Sequence, residues 1–461
     1  MFDNNQFTQY KNNKIMKSNF FKICLMLFST FAFSQAGHIM QGVGSVNMSM
    51  GGASTAQPLD ISGALQWNPA AISVFDENIL KLDIGLFFSS PELFSTVPEF
   101  DSTGQPTGNF FSGNTKDDRG VSPMPALAMV WGKEDSKHTF GASAFGISGF
   151  GVTFPENMSN PINAPQSAGG FGRIESDYML LQVGFTWAYE ISEKFSIGVE
   201  PTFNYAALQL EPNPTASPGP TGYPKTDKAT STGFGAQFGL FFDSGSGFKA
   251  GASYKTTQNF SEFEFKNTGA ENNNFDMDYP SILSFGLGYS KGDVDIAIDY
   301  RTVNYENTNG FEDSGWIPAT SGPAQGFPVV VAGFGWENIS IVSAGFQYKG
   351  IDKLPLRVGY TYSTNPIPDE LTFYNVPATA IIKNAFQFGF SYEASDNMSL
   401  DAVYHYGSSG GKTTGQLLNP NFIQNFPPYG AIPGSEVSYD MTTSMIMVGI
   451  SYTFSKKQKV I

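Results

Sequence analysis

The feature that most restricts what this chain can fold into is a strict alternation of apolar and polar or small side chains, sustained over runs of roughly ten residues. Leu80, Leu82, Ile84, Leu86 and Phe88 alternate with Lys81, Asp83, Gly85 and Phe87. Met179, Leu181, Val183, Phe185, Trp187 and Tyr189 alternate with Leu180, Gln182, Gly184, Thr186 and Ala188. The pattern returns at 294–301 and again at 446–454. A strand turns successive side chains to opposite faces, so each run has one greasy face and one polar face. Beyond residue 36, no apolar stretch approaches the roughly 20 residues that a membrane helix requires.

Such runs begin near Glu77, Ser122, His138, Asp177, Phe195, Gly233, Phe248, Tyr279, Asp293, Ile339, Pro355, Asn384, Met398 and Thr442. Their connections alternate in length. Short turns lie around Asp135, Glu193, Gly245, Gly292, Asp352 and Asp396, and long polar loops cover 89–121, 207–232, 304–338 and 407–441. Short turns on one rim and long loops on the other are the pattern of outer-membrane barrels. In hydrocarbon every backbone N–H and C=O must be paired, and a closed barrel leaves no open edge. The expectation is therefore an all-β fold, a transmembrane antiparallel β-barrel of about 14 strands with both termini on the short-turn side. Trp131, Tyr189, Tyr205, Tyr289, Tyr348, Tyr362, Tyr392, Tyr406 and Tyr452 stand near strand ends, where interfacial girdles form. A soluble β-sandwich is the competing reading, and it leaves the loop asymmetry unexplained.

Composition closes several function classes. With 26 basic against 41 acidic residues, the chain has no general positive field for a phosphate backbone, so no nucleic-acid partner is expected. Cys24 is the single cysteine and His38, His138 and His405 are the only histidines, too few for a disulfide framework or a zinc or iron–sulfur centre. No metal and no cofactor are expected. The string Gly407-Ser408-Ser409-Gly410-Gly411 fits G-x-S-x-G, but a nucleophile elbow needs a helix after the strand and Lys412 onward reads as loop. His405 and Asp401 point inward from one strand and read as a polar pair in the lumen, so no catalytic residue is expected.

The order of the chain suggests four parts. Residues 1–36 read as a signal peptide, since Lys11, Lys14, Lys17 and Lys22 precede or interrupt an apolar run at 20–33 that leads to Ser34 and Ala36. Met16 serves equally well as the start. Residues 37–76 carry no Lys or Arg and are rich in Gly, Ser and Ala, with Met40, Met48 and Met50 interspersed. A barrel this wide cannot fill its own bore, so this segment reads as an N-terminal hatch packed in the lumen. Residues 77–454 form the barrel and 455–461 a short C-terminal tail.

The run from Gly51-Gly52-Ala53 to Trp67-Asn68-Pro69-Ala70-Ala71-Ile72 resembles the hatch of the FadL/TodX family of outer-membrane transporters for long-chain fatty acids and other hydrophobic compounds. Tyr279-Pro280-Ser281 with Gly286, Tyr289 and Asp299-Tyr300 resembles the family's middle portion. Leu356-Arg357-Val358-Gly359-Tyr360, Pro366, Pro368 and the hairpin at 386–406 are similar to its C-terminal third. The resemblance implies an outer-membrane protein of a Gram-negative bacterium that is not an enzyme. It implies passive diffusion of a hydrophobic ligand from an outer groove into the lumen, hatch rearrangement, and lateral exit through a kinked third strand. The hatch motif is then Asn68, Pro69 and Ala70. Outer-membrane lipid is the expected neighbour, and a monomer the expected state.

In the third strand, Gly141, Gly146, Gly149 and Gly151 weaken the ladder and permit a bulge, or alternatively make room for the hatch. Burying an acyl chain of about sixteen carbons yields on the order of 10 kcal/mol before ordering costs, so an apolar pocket suffices for affinity. A carboxylate head still needs a cation or donors. Parity turns Lys81, Lys255, Arg301 and Arg357 inward, and Arg357 and Arg301 are the head-group candidates. The competing reading is a salt ladder, with Lys81 beside Asp83 and Arg301 beside Asp299. Met40, Met48 and Met50 are candidate ligand contacts on the hatch. In the family an outer groove is formed mainly by the third and fourth outer loops. Here the third is Pro-rich at 212–220 and the fourth short, which points to other loops. Two further functions stay open, a surface adhesin or structural barrel and a hydrophilic porin. Neither calls for a hatch without Lys or Arg.

Overall fold

The computed structural model describes residues 37–102 and 106–454, so the signal peptide and the tail lie outside the described residues. The wall consists of β1 (Asn78–Phe100), β2 (Val121–Trp131), β3 (His138–Phe154), β4 (Ile174–Ser192), β5 (Phe195–Glu211), β6 (Ala229–Asp243) and β7 (Phe248–Lys255). It continues with β8 (Ser281–Lys291), β9 (Val294–Asn304), β10 (Ile339–Tyr348), β11 (Leu356–Ser363), β12 (Asn384–Ser395), β13 (Met398–Ser408) and β14 (Glu436–Phe454). Each strand pairs antiparallel with its neighbours in sequence, and β14 returns to β1, from Asn78 opposite Phe454 to Thr96 opposite Glu436. The sheet is closed.

The wall is inverted relative to a soluble protein. Leu82, Ile84, Leu86, Phe185, Phe234, Leu287, Ile298 and Ile446 are exposed on its outside, while Lys81, Asp83, Glu200, Lys255, Asp299, Arg301, Arg357 and Asp401 are buried inside. Water would reverse that arrangement, so the outer face is built for lipid.

Two strands are longer than the alternation predicts. β1 runs on to Phe100 and is joined by a strand at Pro106–Lys116, so part of the expected first loop is sheet. β14 starts at Glu436 rather than near Thr442, because its upper residues find partners on β1. Beyond the apolar band, cross-strand hydrogen bonds hold the ladder and no alternation is needed.

The leading segment fills the bore, with nearly every residue from Gly37 to Ser73 buried. It contains α1 (Ser45–Ser49), α2 (Ile61–Trp67) and a 3₁₀ turn at Pro69–Val74. Asp60 caps α2 by accepting from Gly63 N. Asn68 accepts from Ala70 N at 3.1 Å and donates to Thr55 O at 2.7 Å and to Leu240 O of β6 at 3.0 Å. Pro69 occupies the first position of the turn, where a missing N–H costs nothing. Asn-Pro-Ala is thus a cap that also ties the hatch to the wall. Gly52 needs its hydrogen: its φ is +75°, and a Cβ there would lie 1.8 Å from Gln41 O.

Candidate functional site

The ladder between β2 and β3 is incomplete. It runs only from Trp131 opposite Phe140 to Ala126 opposite Phe145. Beyond Ala126, β2 stays with β1 up to Val121 opposite Phe88, while β3 continues with β4 up to Phe154 opposite Ile174. Two local causes act at this point. Pro123 and Pro125 stand two apart in β2, so the same edge of the strand lacks two successive donors. Across from them, β3 carries a bulge between Gly146 and Ser148. The inserted residue switches the inward parity from Phe145 to Ser148, Val152 and Phe154.

The leading end of the hatch occupies the inner side of this gap as a short surrogate strand. Gly149 N and Ser148 Oγ donate to His38 O at 3.1 and 2.9 Å, and Met40 N donates to Ile147 O at 3.0 Å. Outside this contact lies a cavity of about 310 Å³. Gly37 and Met40 line it from the hatch, Pro123 and Met124 from β2, Gly149, Phe150 and Gly151 from β3, and Tyr178 from β4. Val121 and Met179, 49% and 47% exposed on the outer face, also line it, so the cavity reaches from the hatch to the lipid side. Arg119 stands at its rim, donating to Ser176 O at 2.7 Å and pairing with Asp177, which in turn pairs with Lys228.

The glycines of β3 divide. Gly149 and Gly151 line the cavity, whereas a Cβ on Gly141 would lie 2.7 Å from Leu65 of the hatch. At Gly146 the nearest atom to a Cβ would be the Met124 methyl at 3.5 Å. Among the methionines, Met40 lines the cavity, while Met48 is buried in the core and Met50 packs with Ala53 and Ala297.

Arg301 and Arg357 lie apart from the cavity lining. Arg301 donates to Gly52 O at 2.6 Å, pairs with Asp299 at 2.5 Å and sits 3.7 Å over the Trp67 ring. Arg357 donates to Gln347 at 2.6 Å and to Ser391 at 2.8 Å. Lys81 pairs with Asp401 at 2.7 Å and with Asp60 of the hatch at 3.1 Å, not with its strand neighbour Asp83. Asp83 instead accepts from Ser45 N and Oγ at 2.9 and 2.5 Å. His405 contacts Gln387, and Asp401 is occupied by Lys81 and Ser391, so the expected His405–Asp401 pair does not form. Arg301 thus keeps its strand neighbour Asp299, whereas Lys81 and Asp83 find their partners on the hatch and on another strand.

An apolar groove lies among the outer loops. Phe171 comes from the loop at 155–173, Pro212 and Tyr223 from 212–228, Trp316 from 305–338 and Tyr374 from 364–383. The Pro-rich third loop therefore takes part, contrary to the expectation that other loops would replace it. Val376 and Pro377 line this groove and Thr379 and Ala380 line the wall cavity, so one stretch of chain borders both.

Residues 25–455 match the family model described as outer membrane protein transport protein (OMPP1/FadL/TodX). The chain belongs to this FadL/TodX family. It is thus an outer-membrane β-barrel of the family of hydrophobic-compound transporters, which are channels and not enzymes. Among solved structures, it is similar to the Pseudomonas putida toluene transporter TodX, with 17% identity, a TM-score of 0.63, and 90% of this chain and 100% of that one covered. A Pseudomonas aeruginosa FadL homologue is 13% identical with a TM-score of 0.68, covering 91% of this chain and 100% of that one. The Ralstonia pickettii toluene transporter TbuX is 16% identical with a TM-score of 0.59, covering 90% and 99%. At these identities the likeness shows the fold alone. No curated protein matches the chain in sequence.

The gap was signalled in the sequence by Pro123 and Pro125 as well as by the glycines opposite. Two prolines inside an apolar run mark an edge that cannot pair, and this FadL/TodX chain places them where its wall opens.

Proposed function

We propose that this protein carries long-chain fatty acids or similar hydrophobic compounds by passive diffusion and releases them sideways through the gap between β2 and β3. The observation that carries the reading is the cavity, bordered by the hatch on one side and by lipid-facing Val121 and Met179 on the other. A hydrophobic molecule leaving there stays in an apolar medium, whereas a periplasmic exit would expose it to water at roughly 0.8 kcal/mol per CH₂. The outer groove is the entry in this scheme, and the stretch at 376–380 leads from it to the wall cavity. Arg119 lines the cavity and is our choice for a carboxylate head in place of Arg357 and Arg301, which lie apart from it. A hydrophilic porin reading is less well supported, because a buried hatch fills the bore.

The test is uptake of radiolabelled dodecanoate and toluene by cells carrying Gly149→Val. A Cβ at Gly149 would lie 2.9 Å from Tyr178 O, so a branched side chain must push into the gap. Uptake is expected to fall about tenfold while heat-modifiable migration stays normal. Unchanged uptake in a correctly assembled variant rules out lateral exit.

A further inference from the structure

The hatch puts one side chain to a use that closing the bore does not require. His38 is 1% exposed and is enclosed by six aromatic rings. Their centroids lie 5.0 Å away for Phe311, 5.4 Å for Tyr305, 5.6 Å for Trp336, 5.8 Å for Tyr279, 6.0 Å for Tyr178 and 6.3 Å for Phe150. All six distances fall in the range of favourable ring–ring contact. Phe311 stacks on the imidazole, and Phe150, Tyr279 and Trp336 meet it edge-on. Nδ1 lies 2.8 Å from the Tyr305 hydroxyl, while Nε2 has no partner. Trp336 is held in place by its own hydrogen bond to Asn375 at 2.6 Å.

These rings come from β3, β4 and the approaches to β8, β9 and β10, so the box belongs to the wall and the outer loops while its occupant belongs to the hatch. Phe150 and Tyr178 form part of the box and also line the wall cavity. A buried ring nitrogen without a partner disfavours the docked state, so His38 is a weaker occupant than a ring satisfied on every side. Its backbone is pinned to Ser148 and Gly149 at the gap, which couples departure of the ring to movement of the surrogate strand.

We propose that the aromatic box is a binding site for a single planar ring bearing one hydrogen-bonding substituent, a phenol or its like, and that His38 is an internal stand-in which such a ligand displaces. The stacked imidazole shows the size of ring accepted, and Tyr305 supplies the group that reads the substituent. The inference rests on the hydrophobic-transport reading and deepens it by naming a substrate class. A plain hydrocarbon ring satisfies the box but leaves the Tyr305 hydroxyl unmatched, so a phenol is preferred to its hydrocarbon counterpart.

The experiment uses the full chain in detergent and follows quenching of Trp336 fluorescence by p-cresol and by toluene, with Trp336→Phe as the background. His38→Ala is expected to bind p-cresol about tenfold more tightly than the unaltered protein, because the internal competitor is gone. His38→Gln, which keeps a hydrogen-bonding group but removes the ring, is expected to show the same gain. Tyr305→Phe is expected to abolish the preference for p-cresol over toluene. Equal p-cresol affinity with and without His38, or a preference that survives Tyr305→Phe, overturns the proposal. Dodecanoate uptake into proteoliposomes is measured in parallel. Its presence alongside a His38-independent p-cresol response defeats the box alone, and its absence defeats the transport reading on which the box rests.

Discussion

Two seams of the wall differ in kind. Between β14 and β1 the ladder runs unbroken from Asn78–Phe454 to Thr96–Glu436. Between β2 and β3 it covers only Ala126–Phe145 to Trp131–Phe140. Unpaired backbone facing hydrocarbon costs several kcal/mol per group, so the second seam persists only because something else covers it. Inside, the chain at His38 and Met40 donates to and accepts from the bulge at 147–149. Outside, Met179 and the two prolines present apolar surfaces. The incomplete seam is the place where hatch position and wall integrity become one property.

The hatch is held unevenly in the same sense. Toward β1 and β8–β13 it is tied by buried polar bonds. Asp299 accepts from Ser54 N, Thr55 N and Thr55 Oγ1 at 3.0, 2.9 and 2.7 Å, Thr361 donates to Gly51 O at 3.0 Å, and Gln57 donates to Ser290 at 2.8 Å. Toward β3 and β5 the body of the hatch meets the wall by apolar contact, Leu65 and Ile72 against Gly141 and Pro69–Ala70 against Gly198, while its leading end at His38 and Met40 is hydrogen-bonded to β3. Buried polar residues on that side bond among themselves, as Lys255 does to Gln182 at 3.0 Å. A segment pinned by buried side-chain bonds on one side, and held on the other by packing and the backbone bonds of its leading end, can tilt once those few bonds release, and that side is the one beside the gap.

The comparison breaks first if the hatch is removed. Deleting residues 37–72 is expected to leave the β14–β1 seam intact but to open the bore. Liposome swelling by a small sugar should then rise from background to the rates of an open barrel, and selective hydrophobic uptake should disappear. Survival of selective uptake would separate the hatch from the gap.

Asp299→Ala comes next in size. It strips Arg301 of its pairing partner and leaves three hatch donors unmet, and breaking a buried pair in this way costs about 3–5 kcal/mol. The expected result is release of the hatch at lower denaturant concentration, read by protease cleavage within residues 37–76, while the barrel still migrates as folded. Leu65→Ala, on the packed side, is expected to cost about 2–3 kcal/mol through the cavity it leaves. It should loosen the region of the gap selectively, measured as faster amide exchange at Gly149 than at residues of β14.

The smallest effect is that of pH. Burial holds the His38 imidazole well below its ordinary value, down to about 3. A base with a lowered folded-state pKa contributes its full docking free energy above the free value near 6.5 and loses it as pH falls toward the folded value. The titratable side chains facing it are Tyr178, Tyr279 and Tyr305, and next to Tyr279 in the chain stands Asp278, whose carboxyl burial shifts upward. In an Asp278→Asn background, lowering the pH from 8 to 5 is therefore expected to tighten p-cresol binding severalfold, approaching the roughly tenfold gain of His38→Ala. The same change should have no effect once His38 is Ala.

Much of this was legible along the chain. The short turns at Asp135, Glu193, Gly245, Gly292, Asp352 and Asp396 and the inward parity of Lys81, Lys255, Arg301 and Arg357 coincide with the observed wall, and apart from β14 the strands start close to the expected positions. What escaped was partnership. Lys81 reaches Asp401 across 320 positions and Thr55 reaches Asp299 across 244, distances over which spacing carries no information. Nothing near His38 in sequence announced the six rings that gather around it.

By itself the sequence determined the medium, the strand periodicity and the sidedness of the loops, because each follows from alternation and turn chemistry within about ten residues. Only the tertiary structure decided where the wall fails to close and what stands in for the missing ladder. Pro123 and Pro125 lie on one strand, the bulge at Gly146–Ser148 on the next, and the covering residues His38 and Met40 at the far start of the hatch. A gap of that kind is a relation among three distant segments, and it exists only once barrel closure has brought them to the same side of the bore.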